Sequence, residues 1–211
     1  MAKTRPYHHG SLREALISAS LEILDAEGVV GLTLRSAARR VGVSHAAPKN
    51  HFGDLQGLLA AVAAEGFRRL AAAMRKAEQS SDDPVARLVD IGRAYVRFAK
   101  GSPGHFRAMF HPMLGPRARG SELEQASTAA LAVLVEAVGA APLRTGDTME
   151  HSLAAWSMVH GLATLVVDGH LANKGLPHDA DALARSFGRL LYEGLRRDGA
   201  AAPPKRRRAT R

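Results

Sequence analysis

Cysteine is missing from the 211 residues. Its absence removes disulfides, thiolate nucleophiles and Cys-based zinc sites together, and it fits a reducing compartment. Strand-like alternation of apolar and polar side chains is missing too, so the expected fold is all-α. The ten histidines contain no His-Glu-x-x-His pair or comparable ligand set, and without strands no Gly-rich phosphate loop can follow one. The N-terminus, MAKTRPYHHGSLRE, lacks the apolar stretch of a signal peptide. The most apolar window, residues 153–167, is interrupted by Ser157, His160 and Gly161 and is too short to span a bilayer. These absences argue against an enzyme, a metal site, a cofactor or a membrane partner. They favour a cytoplasmic protein with an ordinary packed core, for which 46% hydrophobic residues is ample material.

Acidic residues are absent from one particular stretch. No Asp or Glu occurs between residues 28 and 53, whereas Arg35, Arg39, Arg40 and Lys49 fall inside it. The core of this stretch, LTLRSAARRVGVSHAAPKNHF, reads as two short helices joined by a tight turn. A compact helical pair of one charge sign suits a polyanion. The competing reading is a plain helical hairpin within an all-α core. The overall charge of +9 adds little, because Lys205, Arg206, Arg207, Arg208 and Arg211 supply five of those charges from the tail.

In chain order, residues 1–10 form a basic arm. Ser11 is an N-cap candidate with Glu14 in capping-box position, and Leu12, Leu16, Ala19, Ile23 and Leu24 give the first helix its apolar face; Gly28 ends it. Thr33 caps the second helix, with Arg35, Arg39 and Arg40 outward. Gly42 supplies the left-handed turn, and Ser44 is a second cap candidate. Pro48 conflicts with that cap, since it removes an early helical hydrogen bond: either the first turn is distorted or the helix begins nearer Pro48. Asp54 opens a long bridging helix. The Ser80-Ser81-Asp82-Asp83-Pro84 break follows, then helices over about 84–100, 121–138 and 147–171. The third of these is apolar nearly all round and should be covered on several sides. A last helix carries Leu183, Phe187, Leu190 and Leu191. The resulting division is 1–53 arm and helix-turn-helix, 54–80 bridging helix, 81–199 C-terminal part, and 200–211 a basic disordered tail.

The arm and first helix, RPYHHGSLREALISASLEILDAEG, and the motif LTLRSAARRVGVSHAAPKNHFGDLQGLLAAV resemble the TetR family of bacterial transcription regulators. Trp156, His160 and Gly161 in AWSMVHGLATLVVDG, preceded by PGHFRAMFHP, resemble a C-terminal type named for a Trp-His-Gly signature. The resemblance implies a three-helix DNA-binding head on a helical domain that binds a ligand and dimerises. Its partners would be a double-stranded, pseudo-palindromic DNA operator, a small-molecule effector that releases it, and a second copy of itself. It places Arg5, Tyr7, His8 and His9 of the arm, Thr33 and Arg35, and Ser44, His45, Ala46, Lys49, Asn50 and His51 at the DNA. Two departures stand out: Lys49 replaces the usual Tyr, and Leu55 the usual Lys. Affinity would then lean more on the arm and on Arg39 or Arg40.

The effector pocket is expected among Tyr95, Phe98, Phe106, Met109, Phe110, Met113, Trp156, Met158 and His160, since aromatic and methionine side chains line adaptable apolar cavities. Each of them singly is also an ordinary core residue. His160 could orient a ligand or be tied to a backbone carbonyl or nearby hydroxyl. Leu165, Val166, Leu183, Phe187, Leu190 and Leu191 carry the expected dimer interface, or else internal core. Two other functions compete: a helical ligand sensor that binds no DNA, and a repressor that needs no ligand.

Overall fold

Helix boundaries in this chain are set by short polar side chains that accept from exposed N–H groups, and by glycines that take conformations other residues avoid. The computed structural model describes residues 9–116, 119–143 and 146–196. It contains α1 (His9–Gly31), α2 (Leu34–Val41), α3 (Ala46–Phe52), α4 (Leu55–Glu78), α5 (Pro84–Gly101), α6 (Pro103–Met109), α7 (Glu122–Ala140), α8 (Thr148–Val167), α9 (His170–Asn173) and α10 (Ala180–Leu195). Among the described residues there is no strand, only an isolated bridge between Leu143 and Arg196. The protein is all-α.

The caps explain most of these limits. Thr33 Oγ1 accepts from the Ser36 N–H at 2.9 Å, and Ser36 Oγ accepts in return from the Thr33 N–H at 2.9 Å, a closed capping box. Asp54, Asp83, Ser121, Asp147 and Asp179 cap α4, α5, α7, α8 and α10, each accepting from an N–H of the first turn. Gly28 is non-helical, with φ 70° and ψ −171°, and breaks α1 three residues before its nominal end. Gly42 closes α2 at φ 78°, a region open to glycine and costly for a side chain.

Three expectations need correction. Ser11 lies inside α1, which already includes His9 and Gly10, so it does not cap that helix. Ser44 does not cap α3 either: the helix starts at Ala46 and has no side-chain cap. Instead the Ser44 carbonyl accepts from the Ala47 N–H at 3.0 Å. This resolves the proline conflict, because Pro48 now sits in the first turn, where an N–H has no intrahelical acceptor to lose. Finally, α8 stops at Asp168, since Gly169 turns left-handed at φ 71° and only short α9 follows.

Helix α4 is the axis of the molecule. It packs against α1 and α3 near its start and against α5, α6 and α7 along its length. Leu58, Leu59, Val62, Phe67, Leu70 and Met74 are buried on it. One contiguous apolar core runs from Leu16 and Ile23 of α1 through α4 to Ala163 of α8 and Ala184 of α10. Head and C-terminal part are also tied by a polar contact: the Gly104 N–H of α6 donates to Asp25 Oδ1 of α1 at 2.7 Å. Helix α7 is long and apolar enough, by length and composition, to cross a membrane. Here its inner face, including Leu123, Val133 and Leu134, is buried in the core beside α4.

Helix α8 is covered on several sides, by α5, α7 and α10, and bare on one. His151, Ser152, Ala155, Val159, Leu162 and Ala163 are buried, but Leu153, Ser157, Gly161 and Leu165 are exposed. At four-residue spacing they make a single uncovered stripe.

Candidate nucleic-acid interface and effector cavity

The helix-turn-helix forms from the acid-free stretch. Ala37 and Ala38 are fully buried where α2 meets its neighbours, and small side chains there let helices approach closely. Helix α2 packs on α1 and α3, and α3 packs on the start of α4. Thr33, Arg35, Ser44, His45, Ala46, Lys49 and Asn50 are exposed, and His51 is half-buried beside Phe52, ring centres 6.1 Å apart.

Arg40 departs from its expected role: it is turned back onto α1, with Glu22 at 3.0 Å and Glu27 at 3.7 Å. Arg35, Arg39 and Lys49 have no acidic partner among the described residues, so their charge is uncompensated. Arg5, Tyr7 and His8, and the side chain of His9, lie outside the described residues, as does the basic tail.

In the C-terminal part a cavity of about 200 Å³ opens between α4, α5, α7 and α8. Phe67, Leu70 and Met74 of α4 form one wall, and Ser127, Thr128, Ala130, Leu131 and Leu134 of α7 form another. Tyr95, Phe110 and Trp156 complete it. Those three were expected from sequence. The α4 and α7 walls were not, because a helical stripe of Phe, Leu and Met reads equally well as core.

The other expected pocket residues lie elsewhere. Phe106 and Met109 are buried in the core; Met109 packs so closely on α4 that a Cβ at Gly66 would meet its Sδ at 2.7 Å. Phe98 is half-buried near His105, with ring centres 6.3 Å apart. Met113 is exposed on a 3₁₀ turn whose Met113 carbonyl accepts from Gln56 at 2.9 Å. Met158 borders a second void, of about 30 Å³.

His160 stands behind the wall. Its Nδ1 is 2.9 Å from the Tyr95 hydroxyl, which also accepts from Trp156 Nε1 at 3.3 Å. Phe110 meets the His160 ring edge-on at 4.4 Å. Burial holds His160 below the ordinary histidine pKa and Tyr95 above the ordinary tyrosine value. Both are therefore neutral near pH 7, and the hydroxyl is the nearby partner that the sequence offered as one alternative for His160. Among the described residues no three His, Asp or Glu side chains gather to hold a metal ion.

Known proteins resemble this chain in sequence and in fold. A family model described as "Tetracyclin repressor-like, C-terminal domain" matches residues 88–191, which include the cavity helices α7 and α8. Over 77 residues the chain is 42% identical to the HTH-type transcriptional regulator BetI of Burkholderia mallei, covering 36% of this chain and 40% of BetI. The chain belongs to the TetR family. The curated relatives it matches are named as HTH-type transcriptional regulators, and this chain carries the corresponding helix-turn-helix in α2 and α3. The chain spans about half, or less, of the length of the curated relatives it matches. Among solved structures, a protein of unknown function from Rhodococcus sp. RHA1 is 36% identical, with a TM-score of 0.78, covering 92% of this chain and all of that one. The TetR-family regulator PfmR of Thermus thermophilus shares the fold, with a TM-score of 0.62 at 23% identity, covering 86% of this chain and 99% of that one.

Proposed function

We propose that this regulator binds a pseudo-palindromic DNA operator as a homodimer and is released by a small, largely apolar effector. In this reading residues 1–53 are the DNA-binding head, 54–80 the bridge, and 81–199 the regulatory and dimerising part. The observation that carries it is the single apolar core joining an acid-free helix-turn-helix to a partly open, largely apolar cavity along α4. A ligand wedged against Phe67, Leu70 and Met74 acts on the same helix whose first turn holds α3.

Arg35, Arg39 and Lys49 would neutralise phosphates, giving salt-dependent affinity, while Ser44, His45, Ala46 and Asn50 would face base edges. With such short side chains, direct readout is modest and includes apolar contact with thymine methyls. Pairing of two heads supplies the remainder through half-site spacing. In a mobility-shift titration with the DNA flanking its own gene, the wild-type protein should bind at low salt and weaken steeply as salt rises. The Lys49→Ala, His51→Ala double variant should bind at least about tenfold more weakly, with a shallower salt slope. No shift at low salt, or an unchanged shift for the variant, would count against DNA binding.

The α8 stripe supports the dimer. Leu153 and Leu165 are exposed there, as is Leu190 on α10 at 60%, while Val166, Leu183, Phe187 and Leu191 lie half-buried beside them. Gly161 sits in the middle of α8, where a Cβ would meet nothing within 4 Å. Nothing among the described residues explains a glycine that weakens the helix by about 1 kcal/mol; close approach of a second copy would. Sedimentation should show a wild-type dimer and a Gly161→Arg monomer of unchanged helicity. A dimer that tolerates Gly161→Arg places the interface elsewhere.

A further inference from the structure

We propose that the cavity takes a neutral, compact, single-ring molecule carrying one hydrogen-bond donor, such as a phenolic hydroxyl or an N–H. The assignment rests on the cavity being the effector site, and three observations define the class.

The first is size. At about 200 Å³ the cavity is somewhat larger than the roughly 150 Å³ apolar void that accepts benzene. A ring with a small substituent fits, and a long acyl chain does not.

The second is charge. No lining residue is ionisable except Tyr95, whose pKa is raised by burial. An anion would enter without a counter-charge, and an unpaired buried charge is strongly disfavoured. The aromatic faces of Phe67, Tyr95, Phe110 and Trp156 suit a ring packed edge-on or offset.

The third is hydrogen-bonding direction. The wall holds three hydroxyls, and two of them have already committed their protons. Ser127 Oγ donates to the Glu124 carbonyl at 3.0 Å, and Thr128 Oγ1 donates to the Glu124 carboxylate at 3.3 Å. The Tyr95 hydroxyl accepts the Trp156 N–H; in the His160 tautomer whose Nδ1 carries no proton, which is part of the proposal, it donates its own proton to that nitrogen, 2.9 Å away. In that arrangement only acceptor lone pairs remain. Such a wall answers a donor and offers nothing to a carbonyl or carboxylate acceptor.

The test uses the protein's own reporter. Trp156 is the only tryptophan in the sequence and lines the cavity, so its fluorescence reads occupancy without DNA. Four probes are titrated: 4-ethylphenol, ethylbenzene, 4-ethylbenzoate and palmitate. Saturable binding is expected for 4-ethylphenol, at least about fivefold tighter than for ethylbenzene, as one net hydrogen bond implies. No saturable change is expected for 4-ethylbenzoate or palmitate. The preference for the phenol should shrink in Tyr95→Phe or Thr128→Val, each checked for folding by circular dichroism. Absence of 4-ethylphenol binding to the wild type, or equal or tighter binding of either anion, would overturn the proposal. So would a phenol preference that survives both substitutions. Should 4-ethylphenol bind as expected yet leave the DNA complex untouched in a mobility shift, the ligand class stands and the effector reading fails.

Discussion

Gly57→Ala is expected to destabilise the protein by about 3 kcal/mol and to weaken DNA binding more than it weakens cavity ligands. The usual effect of this change in a helix is a gain of about 1 kcal/mol. Geometry reverses the sign. A Cβ at Gly57 would lie 2.0 Å from the Phe52 carbonyl oxygen and 3.1 Å from its carbon, well inside contact distance. The obstacle is backbone, so no side chain can swing away, and overpacking of this kind runs to a few kcal/mol. Relief requires moving the end of α3 or the turn through Gly53, itself left-handed at φ 77°. The Asp54 cap, which accepts from the Gly57 N–H at 2.8 Å, would be disturbed as well. Urea denaturation should show the loss, while Gly101→Ala, where a Cβ meets nothing within 4 Å, should stay within about 0.5 kcal/mol of wild type. Wild-type stability and DNA affinity in Gly57→Ala would refute the idea that the α3–α4 junction is a fixed elbow.

That elbow shows what can be read from sequence and what cannot. Caps and glycines were legible because they act within four residues: Thr33 and Asp54 each sit where a short side chain can reach a free N–H. Gly28 and Gly42 were legible for the same local reason. Ser44 misled because two local signals competed, and Pro48 prevailed by placing the helix start at Ala46. The cavity was only partly legible. Tyr95, Phe110 and Trp156 stood out as aromatics, but Phe67, Leu70, Met74 and Leu134 differ from their buried neighbours only in facing a void, and a void arises from how helices diverge. The acceptor-only character of the wall depends on the partners of Ser127, Thr128 and Tyr95, which no spacing rule supplies. The four-residue stripe on α8 was present in the sequence, yet apolar residues around it masked which side would be left bare.

Acidification should unfold this protein through a residue that neither the DNA surface nor the cavity uses. His105 on α6 is 5% exposed, and its Nε2 is buried with no hydrogen-bond partner among the described residues. Burial first, and then the Arg69 charge, pull its pKa down from 6.5 to about 4, against weaker opposing pulls from Glu65 and Asp25. The folded state thus holds His105 neutral while the unfolded chain takes up a proton below pH 6.5. Because the unfolded state binds more protons in this window, stability is full above about pH 6.5 and falls as pH drops toward 4. Between pH 7.5 and pH 5 the expected loss from this one group is about 2 kcal/mol. His160, also lowered by burial, contributes in the same direction. In His105→Leu the pH 7.5 to pH 5 difference in urea stability should shrink by about that 2 kcal/mol, whatever the variant's stability at neutral pH. An identical pH profile for wild type and variant would mean that folding does not hold His105 below its ordinary pKa. Since α6 joins α1 through the Asp25–Gly104 bond and packs on α4, a charge forced onto His105 strikes where the head is fastened to the cavity domain. DNA affinity should therefore fall on acidification of the wild type before global unfolding begins, and His105→Leu should remove that early loss.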